Sequence, residues 1–202
     1  MKPGRAATPS DIRGVLLCGG KSTRFGSDKL LAPFEAMPLV AHCARNLIAG
    51  AGNALAVIPT GASALRRVLE EAGCAVLESD ATRRGLGASL AAGIAHTREA
   101  QGWIIALGDM PLIRAATIAA VRGRLEEGAL IAAPYIAGTR ERGHPVGFAH
   151  ALRDELIVLD GDEGARSVIL RHREAVVSIP VEDRGILVDI DTPGDLDAAT
   201  SA

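Results

Sequence analysis

A chain of 202 residues, 48% of them hydrophobic, has the material for a buried core without disulfides, which excludes a disordered or fibrous protein. Aromatic residues make up only 2% and the formal net charge is −2. The stacking platforms of single-strand binders and the basic field of a nucleic-acid or anionic-membrane binder are therefore both missing, and an anionic ligand has to be met by a local cluster of cations. Cys18, Cys43 and Cys74 form no CxxC pair and read as free, mostly buried thiols of a reducing compartment. No run approaches the roughly 18 apolar residues of a membrane span, so a cytoplasmic protein is expected.

In chain order, residues 1–10 read as a flexible tail, since two basic residues are followed by no apolar run of the signal-peptide kind. Residues 11–202 show no linker and no repeat, and are expected to form one domain. Gly14 to Cys18 is a first buried strand. Val40, Cys43, Ala44, Leu47 and Ile48 recur with helical period, and Gly50 and Gly52 close that helix. A strand over Ala54–Pro59 follows, then a helical stripe of Leu65, Val68, Leu69 and Ala72 closed by Gly73 at a left-handed cap. Cys74–Leu77 reads as a strand, Leu86, Leu90 and Ile94 as a helix, Trp103–Leu107 as a strand. A helix near Ala115–Glu127 leads to a strand over Ala129–Ala133. Past Pro134 the elements shorten: a strand at Val146–Phe148, two helical segments, and strands near Val176 and Leu187. This alternation predicts a mostly parallel sheet with helices on both faces, whose ligands meet the loops beyond the carboxyl ends of the strands.

The first such loop reads Leu17-Cys-Gly-Gly-Lys-Ser-Thr-Arg-Phe-Gly-Ser-Asp-Lys29. Gly19 and Gly20 let backbone amides approach phosphate oxygens, and Arg24 and Lys29 supply two positive charges. A Walker A loop would need glycine at Val15, and the adjacent Gly19 and Gly20 do not make a dinucleotide fingerprint. An ordinary basic surface turn is the plain alternative. Asp109, in Leu107-Gly-Asp-Met-Pro111, follows a strand, and Asp189 and Asp191 lie in Val188-Asp-Ile-Asp-Thr-Pro193. Strand-end carboxylates from distant parts of a chain suit Mg²⁺, which takes one or two carboxylates and completes its shell with water and phosphate oxygens. The candidates rank Asp109, Asp191, Asp189. Asp191 before Thr-Pro has a competing use as a helix cap or turn residue.

The loop, with Gly20, Ser22, Arg24, Gly26 and Lys29 in place, resembles the signature of the molybdenum cofactor nucleotidyltransferases. Asp109-Met-Pro111 and Asp189-Ile-Asp-Thr-Pro-Gly-Asp-Leu196 are similar to two further motifs of that family. The resemblance runs from about Gly14 to Leu196. It implies a three-layer α/β/α Rossmann-like nucleotidyltransferase fold and a Mg²⁺-dependent transfer of a nucleoside monophosphate to a phosphorylated acceptor. It further implies that the backbone of Leu17, Cys18, Gly19 and Gly20, with Ser22, cradles the triphosphate. Arg24 and Lys29 neutralise it, and Asp109 holds Mg²⁺.

Two more stretches, Arg142-Gly-His-Pro-Val-Gly-Phe148 and Gly161-Asp-Glu-Gly-Ala-Arg166, look like elements of the cytidylyltransferase branch of the family. They offer His144, Pro145 and Arg166 to the acceptor, although a lone histidine is more often a structural hydrogen-bonder and Arg166 has a salt bridge as its alternative. Gly85 and Ser89, at the start of a helix, match a segment near the nucleotide's base and ribose, with a plain first-turn role for Ser89 as the alternative. Cys18-Gly19-Gly20 and Ser27-Asp28-Lys29 lean toward the guanylyl branch instead, so CTP and GTP both stay open. The expected partners are a nucleoside triphosphate and molybdenum cofactor or another phosphorylated small molecule such as a sugar phosphate, with a client molybdoenzyme or its chaperone as receiver. Nucleic acid and membrane are not expected. A carrier that binds nucleotide without transferring it is the rival of another class.

Overall fold

The computed structural model describes residues 11–19 and 29–200. Gly20, Ser22, Arg24 and Gly26 of the first loop lie outside the described residues, as does the 1–10 segment. The strands are β1 (Ile12–Leu17), β2 (Pro33–Phe34), β3 (Met37–Pro38), β4 (Leu55–Ile58), β5 (Ala75–Glu78), β6 (Gly102–Leu107), β7 (Ile131–Ile136), β8 (Val146–Ala149) and β9 (Val176–Val181). The helices are α1 (Leu39–Ala51), α2 (Ser63–Glu71), α3 (Leu86–His96), α4 (Ala115–Glu126), α5 (Arg153–Leu156), α6 (Arg166–Arg171) and α7 (Pro193–Thr200).

Seven strands form one sheet in the order β5-β4-β1-β6-β8-β7-β9, and β2 pairs with β3 in a separate two-stranded hairpin. The large sheet is parallel except for β8, which runs antiparallel to both β6 and β7. Alternation along β1 shows why both faces are covered. Ile12, Leu16 and Cys18 join one apolar cluster with Leu39, Leu47 and Leu69, while Val15 and Leu17 join another with Leu90, Ile94 and Trp103. Helices α1, α2 and α4 contribute to the first cluster, and α3, α5 and α6 to the second. The result is the expected three-layer, Rossmann-like arrangement.

The strand order turns at the centre, because the chain goes from β1 outward to β4 and β5 and then returns to β6 on the other side. β1 and β6 pair from Ile12↔Gly102 to Leu17↔Leu107, so their following loops emerge side by side. That is the topological switch point where open α/β sheets bind ligands.

Several expectations shift locally. Gly73, at φ +95°, ends α2 as anticipated, with the amide of Cys74 reaching the Leu69 carbonyl at 2.9 Å. Gly50 does not end α1. It lies within the last turn, and a Cβ there would strike Ile118 and the Ala115 carbonyl of α4. Gly52, at φ +84°, is the cap. Pro134 does not stop β7, which begins at Ile131 and runs through it. β8 pairs only with Ile131 and Ala132, and beside Pro134 the 141–143 segment takes its place: the Gly143 amide donates to the Pro134 carbonyl at 3.1 Å and Tyr135 bridges Arg142, so the proline sits where the regular ladder gives way to a single bridge. The strand expected near Leu187 is a single 3-10 turn over Arg184–Leu187, and the segment carrying Asp189 and Asp191 is not a strand. The two aspartates therefore share no strand face.

Candidate active site at the switch point

Asp109 sits in the turn that follows β6, and helix α1 holds that turn from below. The Cys43 thiol donates to the Gly108 carbonyl at 3.3 Å, and Asn46 Nδ2 donates to the Pro111 carbonyl at 3.1 Å. Burial pushes the Cys43 thiol well above its ordinary value, with the charge of Asp109 adding to the effect, so it stays a protonated donor. From the other end of the chain, the amide of Ile190 donates to the Asp109 carbonyl at 2.9 Å. This bond lays the Asp189–Asp191 segment alongside the Asp109 turn. Thr192 and Asp195 then cap α7 reciprocally: Asp195 Oδ2 accepts from the Thr192 amide at 2.7 Å, and Thr192 Oγ1 accepts from the Asp195 amide at 3.2 Å. Capping falls to Thr192 and Asp195, and the Asp191 side chain turns to the site.

There Lys29 joins the two carboxylates. Its Nζ donates to Asp109 Oδ2 and to Asp191 Oδ1, each at 2.9 Å. The Lys29 side chain is 11% exposed, Asp109 26% and Asp191 41%. Burial alone would lower the lysine pKa, but hydrogen bonds to Asp191 and Asp109 and their charges outweigh it, so Lys29 ends above its ordinary value and carries a full charge. Asp189 is exposed and makes no side-chain hydrogen bond or ion pair among the described residues. The geometry thus brings Lys29, Asp109 and Asp191 together and leaves Asp189 outside.

Gly19 follows β1 and packs against the start of α3. A Cβ at that position would come within 2.9 Å of Ser89 Oγ and 3.0 Å of Thr82 Cβ, so glycine is required by packing alone. Ser89 is fully buried and its hydroxyl donates to the Gly85 carbonyl at 2.9 Å, within its own first turn. The Gly87 amide, which the helix start offers to a ligand, is already taken by the Gly161 carbonyl at 2.8 Å. Gly85 stands at φ +117° and supports this close approach of the 160–164 loop.

Leu17 and Leu107, the last residues of β1 and β6, face the other side of the sheet. With Leu86, Leu90, Ile105, Phe148, His144 and Arg166 they line a pocket of about 230 Å³. Arg166 is exposed and forms no ion pair with a described residue. Pro145 is buried and joined to His144 by a cis peptide bond. His144 Nδ1 is shielded from solvent and has no hydrogen-bond partner among the described residues. Burial lowers the His144 pKa from its ordinary 6.5, against weaker raising effects from the Ile105 backbone, Asp109 and Asp189. The unfolded chain consequently binds a proton before the folded protein does, and stability falls as pH drops below about 6.5. Thermal melts between about pH 7 and about pH 5 should show a shallower decline for His144→Gln than for the parent. Equal slopes would assign the acid sensitivity elsewhere.

The turn-holding roles of Cys43 and Asn46 and the reciprocal Thr192–Asp195 cap were not read from the sequence, although Cys43 lies in the helical stripe and Thr192 and Asp195 in the 189–196 motif. The cap carries the T-x-x-D signal of a helix start, whereas Cys43 and Asn46, one turn apart on α1, look like ordinary helix residues. Cys18, Cys43 and Cys74 are buried and form no disulfide among the described residues. Among the described residues no group of three His, Cys, Asp or Glu side chains is arranged to hold a metal by itself. A cation here would rest on two carboxylates and need its remaining ligands from water or substrate. No helix of the described residues is long and apolar enough to cross a membrane.

A parallel sheet with a glycine turn and a strand-end carboxylate adjoining at its switch point defines an α/β enzyme that handles phosphorylated ligands. Within that class the chain belongs to the MobA-like NTP transferase domain family, which matches residues 14–176, and it is a nucleotidyltransferase. A crystal structure of Rv0371c from Mycobacterium tuberculosis H37Rv is 28% identical and superposes with a TM-score of 0.82 over 96% of this chain and 100% of that one. A second structure of that protein, 26% identical at a TM-score of 0.76, is a complex with manganese. The nicotine blue oxidoreductase of Paenarthrobacter nicotinovorans is 29% identical over 196 residues, 90% of this chain and 92% of its own. The bifunctional protein GlmU of Bradyrhizobium sp. strain ORS 278 is 32% identical over 77% of this chain, which spans only 36% of that longer protein.

Proposed function

We propose that this nucleotidyltransferase moves CMP from CTP onto the phosphate of molybdopterin or molybdenum cofactor, with Mg²⁺, and releases pyrophosphate. The observation that carries the reading is the convergence of Asp109 and Asp191, 82 residues apart, on one cation position at the switch point. Two carboxylates beside a triphosphate fit a hard divalent ion that keeps water and phosphate in its shell. The manganese complex of Rv0371c supports a divalent ion in this family. When bound, the ion would withdraw charge from the phosphate oxygens. The acceptor's terminal phosphate attacks the α-phosphorus in line and pyrophosphate departs. A phosphate acceptor is already ionised near neutral pH, so the protein's task is alignment and charge stabilisation, with no general base required. Lys29 and Arg24 would neutralise the triphosphate and its leaving half.

The mainly apolar pocket lined by His144 and Arg166 supports an acceptor with a flat heterocyclic body more than a polyhydroxylated sugar phosphate. Gly19 speaks less for GTP than its sequence suggests, because Ser89 and Thr82 leave no room for a Cβ whichever base is bound. Ser89, its hydroxyl held by Gly85, would serve the nucleotide by shaping the wall and not by direct donation.

Pyrophosphate release from each of the four nucleoside triphosphates, with Mg²⁺, with and without molybdenum cofactor, tests this. Acceptor-dependent release from CTP is expected. Preference for GTP would move the protein to the guanylyl branch, and release with a sugar phosphate alone would replace the acceptor. No release with any nucleotide would sink the transfer reading and favour a carrier, or redox chemistry of the kind named for the Paenarthrobacter relative.

A further inference from the structure

Lys29 has two claims on its charge. Its position at the end of the glycine loop suits a triphosphate, yet its ammonium rests 2.9 Å from Asp109 Oδ2 and 2.9 Å from Asp191 Oδ1. Those carboxylates are the ones a divalent ion would use. A divalent ion held by the same two carboxylates would sit beside the ammonium and compete with it for their charge. In this half-buried site, with Lys29 11% exposed but Asp109 26% and Asp191 41%, two neighbouring cations repel and solvent screens them only in part. Asp195, which also feels the charge of Lys29, commits its Oδ2 to the Asp191 and Thr192 amides and the Thr192 hydroxyl, and so gives no third carboxylate to soften the repulsion.

We propose that Lys29 is a resident counter-ion of the Asp109–Asp191 pair and weakens the binding of free divalent metal, so that metal binds tightly once a triphosphate's oxygens take over the ammonium. The inference rests on the reading of Asp109 and Asp191 as metal ligands and adds an order of binding to it. A lysine is suited to the exchange, since its charge sits on a flexible four-carbon stem and adapts to carboxylate or phosphate alike. The coupling is reciprocal: whatever draws Lys29 away raises metal affinity, and bound metal favours the anion that receives Lys29. The substrate is then the metal–nucleotide complex, and the carboxylates never stand uncompensated in a half-buried site.

The test is Mn²⁺ binding to the full-length protein without nucleotide, followed by the loss of the free-ion electron paramagnetic resonance signal. Lys29→Met is expected to bind Mn²⁺ at least about tenfold more tightly than the parent, although the same substitution removes a charge from the nucleotide site. Lys29→Gln, which keeps hydrogen bonds to the carboxylates without the charge, should shift in the same direction and serves if the methionine variant folds poorly by circular dichroism. Affinity unchanged or weaker in both variants would overturn the proposal. If Asp109→Asn combined with Lys29→Met binds as tightly as Lys29→Met alone, the metal lies elsewhere and the ligand reading falls with the proposal. Tighter Mn²⁺ binding in a protein that releases no pyrophosphate would keep the counter-ion role and remove only the transfer chemistry.

Discussion

Asp109→Asn is expected to slow pyrophosphate release by roughly 100-fold or more, about 3 kcal/mol of transition-state stabilisation, while leaving the thermal midpoint nearly unchanged. The large first effect follows from the work assigned to this carboxylate. It presents a full negative charge to the cation position at the switch point, and in its absence nothing on β6 or its turn replaces that charge. The small second effect follows from how the turn is built. The Cys43 thiol, the Asn46 amide and the Ile190 amide hold it through backbone carbonyls of residues 108, 111 and 109, none of which the substitution touches. Lys29 keeps Asp191 as partner, and a partly exposed ion pair contributes only about 1 kcal/mol or less. Steady-state kinetics over a range of Mg²⁺ concentrations, beside a melt, reads both. Turnover within a few-fold of the parent would take Asp109 out of the metal site. A large fall in the melting midpoint would instead make it a structural residue. Losses from Asp109→Asn and Asp191→Asn should not add, because the two act on one cation.

The sheet was legible because its strands are short apolar runs separated by helices with clean stripes. Val15 and Leu17 against Ile12, Leu16 and Cys18 already contain the two-sided burial that a parallel sheet demands. The carboxylates were legible because Asp109 follows a strand with no turn-making reason to be there. What failed was local. Leu187 lies in an apolar stretch, yet Gly185 packs directly on the Leu112 backbone, a contact no periodicity reveals, and the segment turns instead of extending. Asp191 ranked above Asp189 in the sequence, but both stood as metal candidates two residues apart. Only the bond from the Ile190 amide to the Asp109 carbonyl decides that one reaches Lys29 and the other faces solvent.

The same holds for the helix start at Gly85. Its sequence offers free amides to an anion, but the Gly161 carbonyl arrives from 74 residues further on and occupies the Gly87 amide. Gly161-Asp-Glu-Gly-Ala-Arg166 thereby gains a structural duty, fastening the far loop to α3, that its acceptor-like look in the sequence does not disclose. Long-range partners of backbone groups are invisible to pattern reading, and here they set which side chains of the site are available.

Asp183→Ala should lower stability by about 3 kcal/mol, a fall in the melting midpoint of roughly 10 °C for a chain of this size. Asp183 is 4% exposed and sits where no motif marks it. Its Oδ2 accepts from the Arg114 amide at 2.8 Å and from Thr117 Oγ1 at 2.6 Å, and its Oδ1 accepts from the Gly185 amide at 3.2 Å. α4 has no side-chain cap from its own neighbours, so this carboxylate, 69 residues away, takes that role at the positive end of the helix. Alanine would leave the buried Gly185 amide, the part-buried Arg114 amide and the Thr117 hydroxyl without this partner, and each loss of a bond to a charged acceptor costs about 1.5–3 kcal/mol before relaxation. Asp183→Asn should recover part of the loss by keeping one acceptor oxygen, while Thr117→Val, which removes one donor only, should cost less than either. A midpoint within about 2 °C of the parent for Asp183→Ala would show that water replaces the carboxylate and that α4 needs no cap. The position matters to the site because α4 starts just after the Asp109 turn and Gly185 leads into the Asp191 segment. One buried carboxylate thus ties together the two stretches of chain whose aspartates must meet at Lys29.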